Sequence, residues 1–172
     1  MVLGTHVVIG GILGALSRAH PILAFSTGFI SHFLLDAIPH WDYPLYSKTK
    51  KNEAEPLSGD MVIGKAFLRD IASTGIDLFI GTAVLAFLFW DGYLGSTPLQ
   101  SSIIWGAIGG VAPDFLQFAY MKIRKQPLIS LQRFHIFIHT GIRLEGRFIL
   151  GPILQIGLTF FILLCAQSIS LL

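Results

Sequence analysis

Charge is what this chain has least of. Asp, Glu, Lys and Arg make up 13% of its 172 residues, about half the roughly 25% of an ordinary soluble domain. Twelve basic and ten acidic side chains are too few to clothe a globule of 18.9 kDa. Cysteine is nearly absent too. Cys165 stands alone, which excludes a disulfide framework and a thiolate metal cluster. A net charge of +2 excludes a strongly basic nucleic-acid binder, and no low-complexity tract or internal repeat points to disorder. What fills the space is apolar: 53% hydrophobic residues, 14 phenylalanines and 18 glycines, with a mean hydropathy of +0.68. These figures predict an all-α integral membrane protein forming one domain over residues 1–172.

A helix crosses the hydrocarbon layer in about 20 residues. Five stretches approach that length, Val2–Ala19, Pro21–Ile38, Ile71–Trp90, Ser101–Tyr120 and Phe148–Leu172, so a bundle of about five transmembrane helices is expected. The first lacks a basic start and a clear small-residue cleavage site, and reads as a retained span rather than a signal peptide. Gly10, Gly11 and Gly14 in the first span and Gly106, Gly109 and Gly110 in the fourth suit close helix packing in lipid. Two polar connections, Pro39–Asp70 and Met121–Arg147, hold eleven of the twelve basic residues, and Arg18 is the remaining one. The positive-inside rule places both connections and the N-terminus in the cytoplasm and the C-terminus outside. Lys48–Lys51, followed by Glu53 and Glu55, reads as a solvated surface loop. Leu128, Leu131, Phe134, Ile138 and Ile142 recur near a helical period and predict a helix lying at the interface.

Ionisable residues inside a membrane are costly and mark function by default. In this topology His6, His32, Asp36, Asp77 and Asp114 all fall toward the cytoplasmic ends of their spans. His40, Asp42, His135 and His139 lie in the flanking connections, and His20 alone lies at the other end. His32, Asp36 and His40 are spaced i, i+4, i+8, and His135 and His139 i, i+4, the spacing that lets two imidazoles share one ion. Imidazole with carboxylate is the donor set of zinc and other borderline divalent ions. His32, Asp36, His40, His135 and His139 are the expected ligands, with His6 and Asp114 beside them. The surplus over the three or four donors one zinc needs leaves room for two ions, or for one ion with a base and orienting carboxylates. Asp77, Asp114 and Asp42 are the candidates for those roles. Asp77 and Asp114 as structural partners of Arg69 or Arg143 is the competing reading, and Pro113–Asp114 suggests a helix break. Trp41 and Tyr43 fit an interfacial aromatic belt.

The runs Thr5-His6, Ser31-His-Phe-Leu-Leu-Asp-Ala-Ile-Pro-His-Trp-Asp42, Pro113-Asp114 and Phe134-His-Ile-Phe-Ile-His139 together resemble the membrane-bound metal-dependent hydrolases. This is a prokaryotic family of small multi-span proteins grouped with zinc-dependent phospholipase C-like proteins. The resemblance implies a helical bundle with a His/Asp metal centre and hydrolytic activity. A site at the membrane–cytoplasm boundary favours an amphiphilic ester or phosphoester, with a membrane lipid as the natural substrate. Lys122, Arg124, Lys125, Arg143 and Arg147 would draw anionic headgroups. A metal-ion carrier is the rival class, but Arg18, His20, Gln167 and Ser168 are nearly the only polar residues at the outer ends, which favours a one-sided pocket over a conduit. A non-catalytic scaffold stapled by its metal is the third.

Overall fold

The computed structural model describes residues 1–18, 20–50, 55–89, 97–142, 144, 146, 147 and 149–170. Six helices follow in order: α1 (Leu3–Ala15), α2 (Pro21–Asp36), α3 (Lys65–Leu88), α4 (Thr97–Ile123), α5 (Leu128–Ile138) and α6 (Leu150–Ser170). Between α2 and α3 lie two short antiparallel strands, β1 (Lys48–Lys50) and β2 (Gly59–Met61), with Thr49 opposite Asp60. The all-α class holds. The first connection is more ordered than a solvated loop, although Lys51 and Glu53 lie outside the described residues.

α1 is the centre of the bundle. It packs against α2, α3, α4 and α6, and its residues from His6 to Ile12 are buried. Glycine makes this possible. A methyl group on Gly28 of α2 would run into the Gly106 carbonyl of α4, and one on Gly10 of α1 into the same atom. Three backbones therefore meet with no side chain between them, the close approach that small residues permit in helix packing. Around this seam sit Val7, Val8 and Ile12 of α1 with Leu85 and Phe89 of the α3 end, Ile103 of α4 and Ala166 of α6.

Two of the described helices, not five, are long and apolar enough to cross a bilayer: Lys65–Leu88 and Leu150–Ile169. α1 has only 13 residues and α2 has 16, about 20 and 24 Å at 1.5 Å per residue. The reason is local. α1 unwinds at Leu16–Arg18, where Arg18 takes a left-handed φ of 43°, and Pro21 sets the first turn of α2. α4 has the length, at 27 residues, but Gln100, Ser101, Ser102, Asp114 and Gln117 dilute it. α3 starts six residues before the expected span, at Lys65. α4 runs through Pro113, where a break was expected. The expected connection through Gly92 and Gly95 falls outside the described residues.

Both long helices turn bare apolar surface outward. Phe79 and Phe87 of α3 are 74% and 80% exposed, and Ile156 and Phe161 of α6 are 69% and 62%. α2 and α4 add Ile22, Ile30, Ile104 and Phe115 to the same shell. An exposed apolar area this wide marks an interaction surface, with a membrane or with another protein.

Candidate metal centre

α2 ends at Asp36, and Pro39 prevents the helix from resuming. The chain then turns, with His40 Nδ1–H donating to the Ile38 carbonyl at 2.7 Å. The segment after α5 returns beside it. Thr140 N donates to Asp36 O at 2.8 Å and Leu144 N to His40 O at 3.1 Å. These two backbone bonds bring His135 and His139, about 100 residues away in sequence, against Asp36 and His40. α1 arrives from the third side with His6 fully buried, its ring stacked on His32 at a centroid distance of 4.0 Å.

Asp36 is the hub and is itself buried. Its Oδ1 lies 3.3 Å from His6 Nε2 and 4.0 Å from His40 Nε2. Its Oδ2 accepts from His135 Nε2–H at 3.0 Å and stands 3.2 Å from His32 Nε2. His32 Nε2 also faces Asp114 Oδ1 at 3.8 Å. The Met1 amine donates to Asp36 Oδ1 at 2.7 Å and lies 3.7 Å from Asp42 Oδ2. Three sets of donor atoms fall within 4.8 Å of one another: His6, His32 and Asp36; His32, Asp114 and His135; Asp36, His40 and His139. Buried and half-buried His and Asp groups that could hold a metal ion are therefore present, and they include every expected ligand.

The tautomers fit that role. A carbonyl only accepts, so the ring nitrogen pointing at it carries the hydrogen. His32 Nδ1–H donates to Gly110 O at 2.8 Å, and His139 Nδ1–H to Thr140 O at 3.1 Å. With His40, three rings are held with Nε2 bearing the lone pair, the arrangement that backbone carbonyls impose on metal-ligating histidines. His32 Nε2 and both nitrogens of His6 have no hydrogen-bond partner among the described residues. A buried unpaired lone pair facing a carboxylate is unfavourable unless a proton or a metal cation lies between them. Outside the helices, burial pushes the His40 and His139 pKa values down, which keeps these rings neutral and able to ligate.

The three aspartates with expected catalytic roles separate. Asp114 joins the centre with its side chain 30% exposed. Asp42 sits at the rim. Asp77 does not reach any of the donor groups; its Oδ2 accepts Gly4 N–H at 2.8 Å and so caps the start of α1. Arg69 lies over the Tyr46 ring at 4.0 Å instead of pairing with Asp77, and Arg143 falls outside the described residues.

Other expectations need correcting. Lys122 binds Asp60 at 2.9 Å, and Arg124 donates to the Gly59 carbonyl at 2.9 Å. These two side chains hold the β1–β2 connection to the end of α4 rather than standing ready for headgroups, whereas Lys125 and Arg147 remain exposed. α5 keeps the helical period but turns Gln132 and His135 inward and Phe134 and Phe137 outward. Tyr43 is half-buried rather than part of a belt, and burial together with the charges of Asp77 and Asp42 pushes its pKa up.

One polar residue escaped the sequence reading. Gln155 of α6 is buried, accepts from Thr5 Oγ1 at 3.1 Å and donates to the Trp41 carbonyl at 2.6 Å. An amide inside a span without a charged residue is the available signal. Asp70, placed at the mouth of the third span, accepts from Tyr46 N, Ser47 N and Ser47 Oγ and fixes the chain leading to β1. Comparison of the chain with family models, with curated proteins and with solved structures returns no match.

Proposed function

We propose that this chain is a multi-pass membrane protein. It holds one or two divalent cations, zinc first among them, at the cytoplasmic end of its bundle. There it hydrolyses an amphiphilic ester or phosphoester such as a phospholipid. The activity follows the resemblance to the membrane-bound metal-dependent hydrolases. The observation that carries the cation is the pair of buried nitrogens His6 Nε2 and His32 Nε2, without a hydrogen-bond partner among the described residues and 3.3 and 3.2 Å from the Asp36 carboxylate.

His6, His32, Asp36, His40, Asp114, His135 and His139 are the proposed ligands. Asp36 offers one oxygen to the His6 and His40 side and the other to the His32 and His135 side, which suits either one ion or two. A divalent ion supplies Lewis acidity toward a phosphoryl or acyl oxygen and brings the pKa of a coordinated water to about 7. Asp114 is the carboxylate placed to take a proton from the attacking water, because it borders His32 and reaches the surface. Asp42, at the rim, is its alternate.

The membrane reading draws on the shell of exposed apolar side chains over α2, α3, α4 and α6. α1 and α2, too short to span alone, sit in the bundle that α3 and α6 flank. Labelling of a cysteine placed at Lys125 should occur only from the cytoplasmic side; labelling from outside would overturn the topology.

A purely structural cation is favoured by one observation. The Asp36 hub joins α1, α2, α5 and the His40 turn, so an ion there would hold four segments together. A panel of lipid esters and phosphoesters separates the two readings. Metal-dependent turnover supports the hydrolase. Bound metal that raises Tm without turnover supports the staple, and metal flux into proteoliposomes supports a carrier.

A further inference from the structure

α3 and α6 both pack on α1 and leave a groove of about 400 Å3 between them, within the usual size of a small-ligand site. Its walls are apolar: Val8 of α1, Ile80, Val84 and Leu88 of α3, and Phe160 and Leu163 of α6. Polar side chains gather at one end. Thr5 and Asp77 lie there, beside Val2, and Thr159 spends its hydroxyl within its own helix on the Gln155 carbonyl. That end is also the end of the metal centre. Thr5 precedes His6 in α1, and Val2 follows Met1, whose amine touches Asp36. The groove thus runs from the donor cluster toward Leu88 and Leu163, away from it.

Its outer edges are continuous with the exposed apolar shell. Ile80, Val84, Ile156 and Phe160 are 55%, 43%, 69% and 59% exposed. An apolar slot open sideways onto that shell, with polar groups only at its foot, has the polarity of an amphiphile.

We propose that this groove seats one hydrocarbon chain of a membrane amphiphile, lying along α1 with its polar head at the Thr5 and Asp77 end. The proposal rests on the membrane reading above, and it deepens it: the substrate would be a lipid with a long chain, entering sideways from the bilayer. No contact of Asp77 with the cation is required, and its bond to Gly4 keeps the foot of the groove shaped.

The test uses the full-length protein in vesicles of phosphatidylethanolamine and phosphatidylglycerol. A trace of the phosphatidylglycerol carries a diazirine at the end of one acyl chain. After illumination, adducts are mapped by mass spectrometry. The expected result is labelling of Val84, Leu88 and Leu163 about tenfold denser than labelling of Ile22 and Ile30 on the opposite exposed face, the ratio a modest binding preference produces. Val84→Trp together with Ile156→Trp, both at exposed positions, should abolish that excess while leaving the Ile22 and Ile30 adducts unchanged. Equal labelling around the whole shell would overturn the proposal. So would protein–protein adducts in the groove, which assign it to a second copy of the chain. Metal content measured on the same samples keeps the two claims apart: a filled groove in a metal-free protein would remove the hydrolase and leave the chain site standing.

Discussion

The two ends of α1 share close glycine packing and differ in what is added to it. At its C-terminal end, toward Gly14, contact is backbone on backbone. Gly10 and Gly14 of α1 and Gly28 of α2 press on Gly106 of α4 and its neighbours, and side-chain chemistry plays little part. At its N-terminal end glycine contacts persist, Gly81 of α3 on Gly4 and Gly110 of α4 on the His6 carbonyl, but side-chain bonds are added to them. Asp77 caps Gly4, Thr5 meets Gln155, and His6 faces Asp36. The first end tolerates no added volume, because helices cannot move apart without losing the whole seam. The second tolerates no added volume at Gly4, Gly81 or Gly110 either, and around His6 and Asp36, which are buried, it does not tolerate a change of charge. Rigidity at one end thus positions chemistry at the other.

The largest expected effect is at Asp36. Asp36→Asn removes the charge that faces four imidazoles. Breaking a buried charged cluster from one side costs about 3–5 kcal/mol, read as a fall in Tm in detergent, and bound metal should fall to background. A fully metal-loaded Asp36→Asn protein would break the distinction between the ends.

Next is Gly28→Leu, which drives a side chain into the Gly106 carbonyl and should cost about 3 kcal/mol, the upper range for overpacking. Gly157→Leu in α6 is its control, since nothing lies within 4 Å of a methyl group there. Equal Tm values for the two variants would contradict the glycine seam.

A smaller effect, about 1 kcal/mol, is expected for Asp77→Ala, which leaves the Gly4 N–H at the helix start without its acceptor. Asp77→Asn should restore most of it. Metal content should not change in either variant. Loss of metal in both would return Asp77 to the centre.

The smallest effect is outside the bundle. Lys122 holds the Asp60 carboxyl below its ordinary range. A depressed carboxyl stabilises the fold above its unfolded pKa of about 4 and loses that contribution as pH falls through the folded value. The pair is partly exposed, so Asp60→Asn should cost less than about 1 kcal/mol at pH 7, and progressively less as the pH falls through the folded value. A cost that persists in acid would assign the effect to packing instead.

Much of this was legible from residue type and spacing. His6, His32, Asp36, His40, Asp114, His135 and His139 stand out because ionisable groups in apolar helices are costly, and the structure brings all seven together. Asp77 was grouped with them because sequence gives the end of a helix but not the direction a side chain faces. α3 turns Asp77 to the Gly4 N–H at the start of α1. The same limit hid α5, whose period is plain but whose buried face is the polar one. Helix ends were misjudged where backbone geometry decides. The turn at Arg18 shortens α1, and α4 tolerates Pro113 next to Gly109 and Gly110. Gln155 gives no signal of the kind the ionisable groups do, because a neutral amide carries no charge.

Elemental analysis of the purified protein tests the central claim most directly. Wild-type protein should carry at least one equivalent of a divalent transition metal per chain, and His32→Ala combined with His139→Ala should carry none. A metal-free wild-type protein that takes up no added zinc, or a double variant that keeps full occupancy, would contradict it.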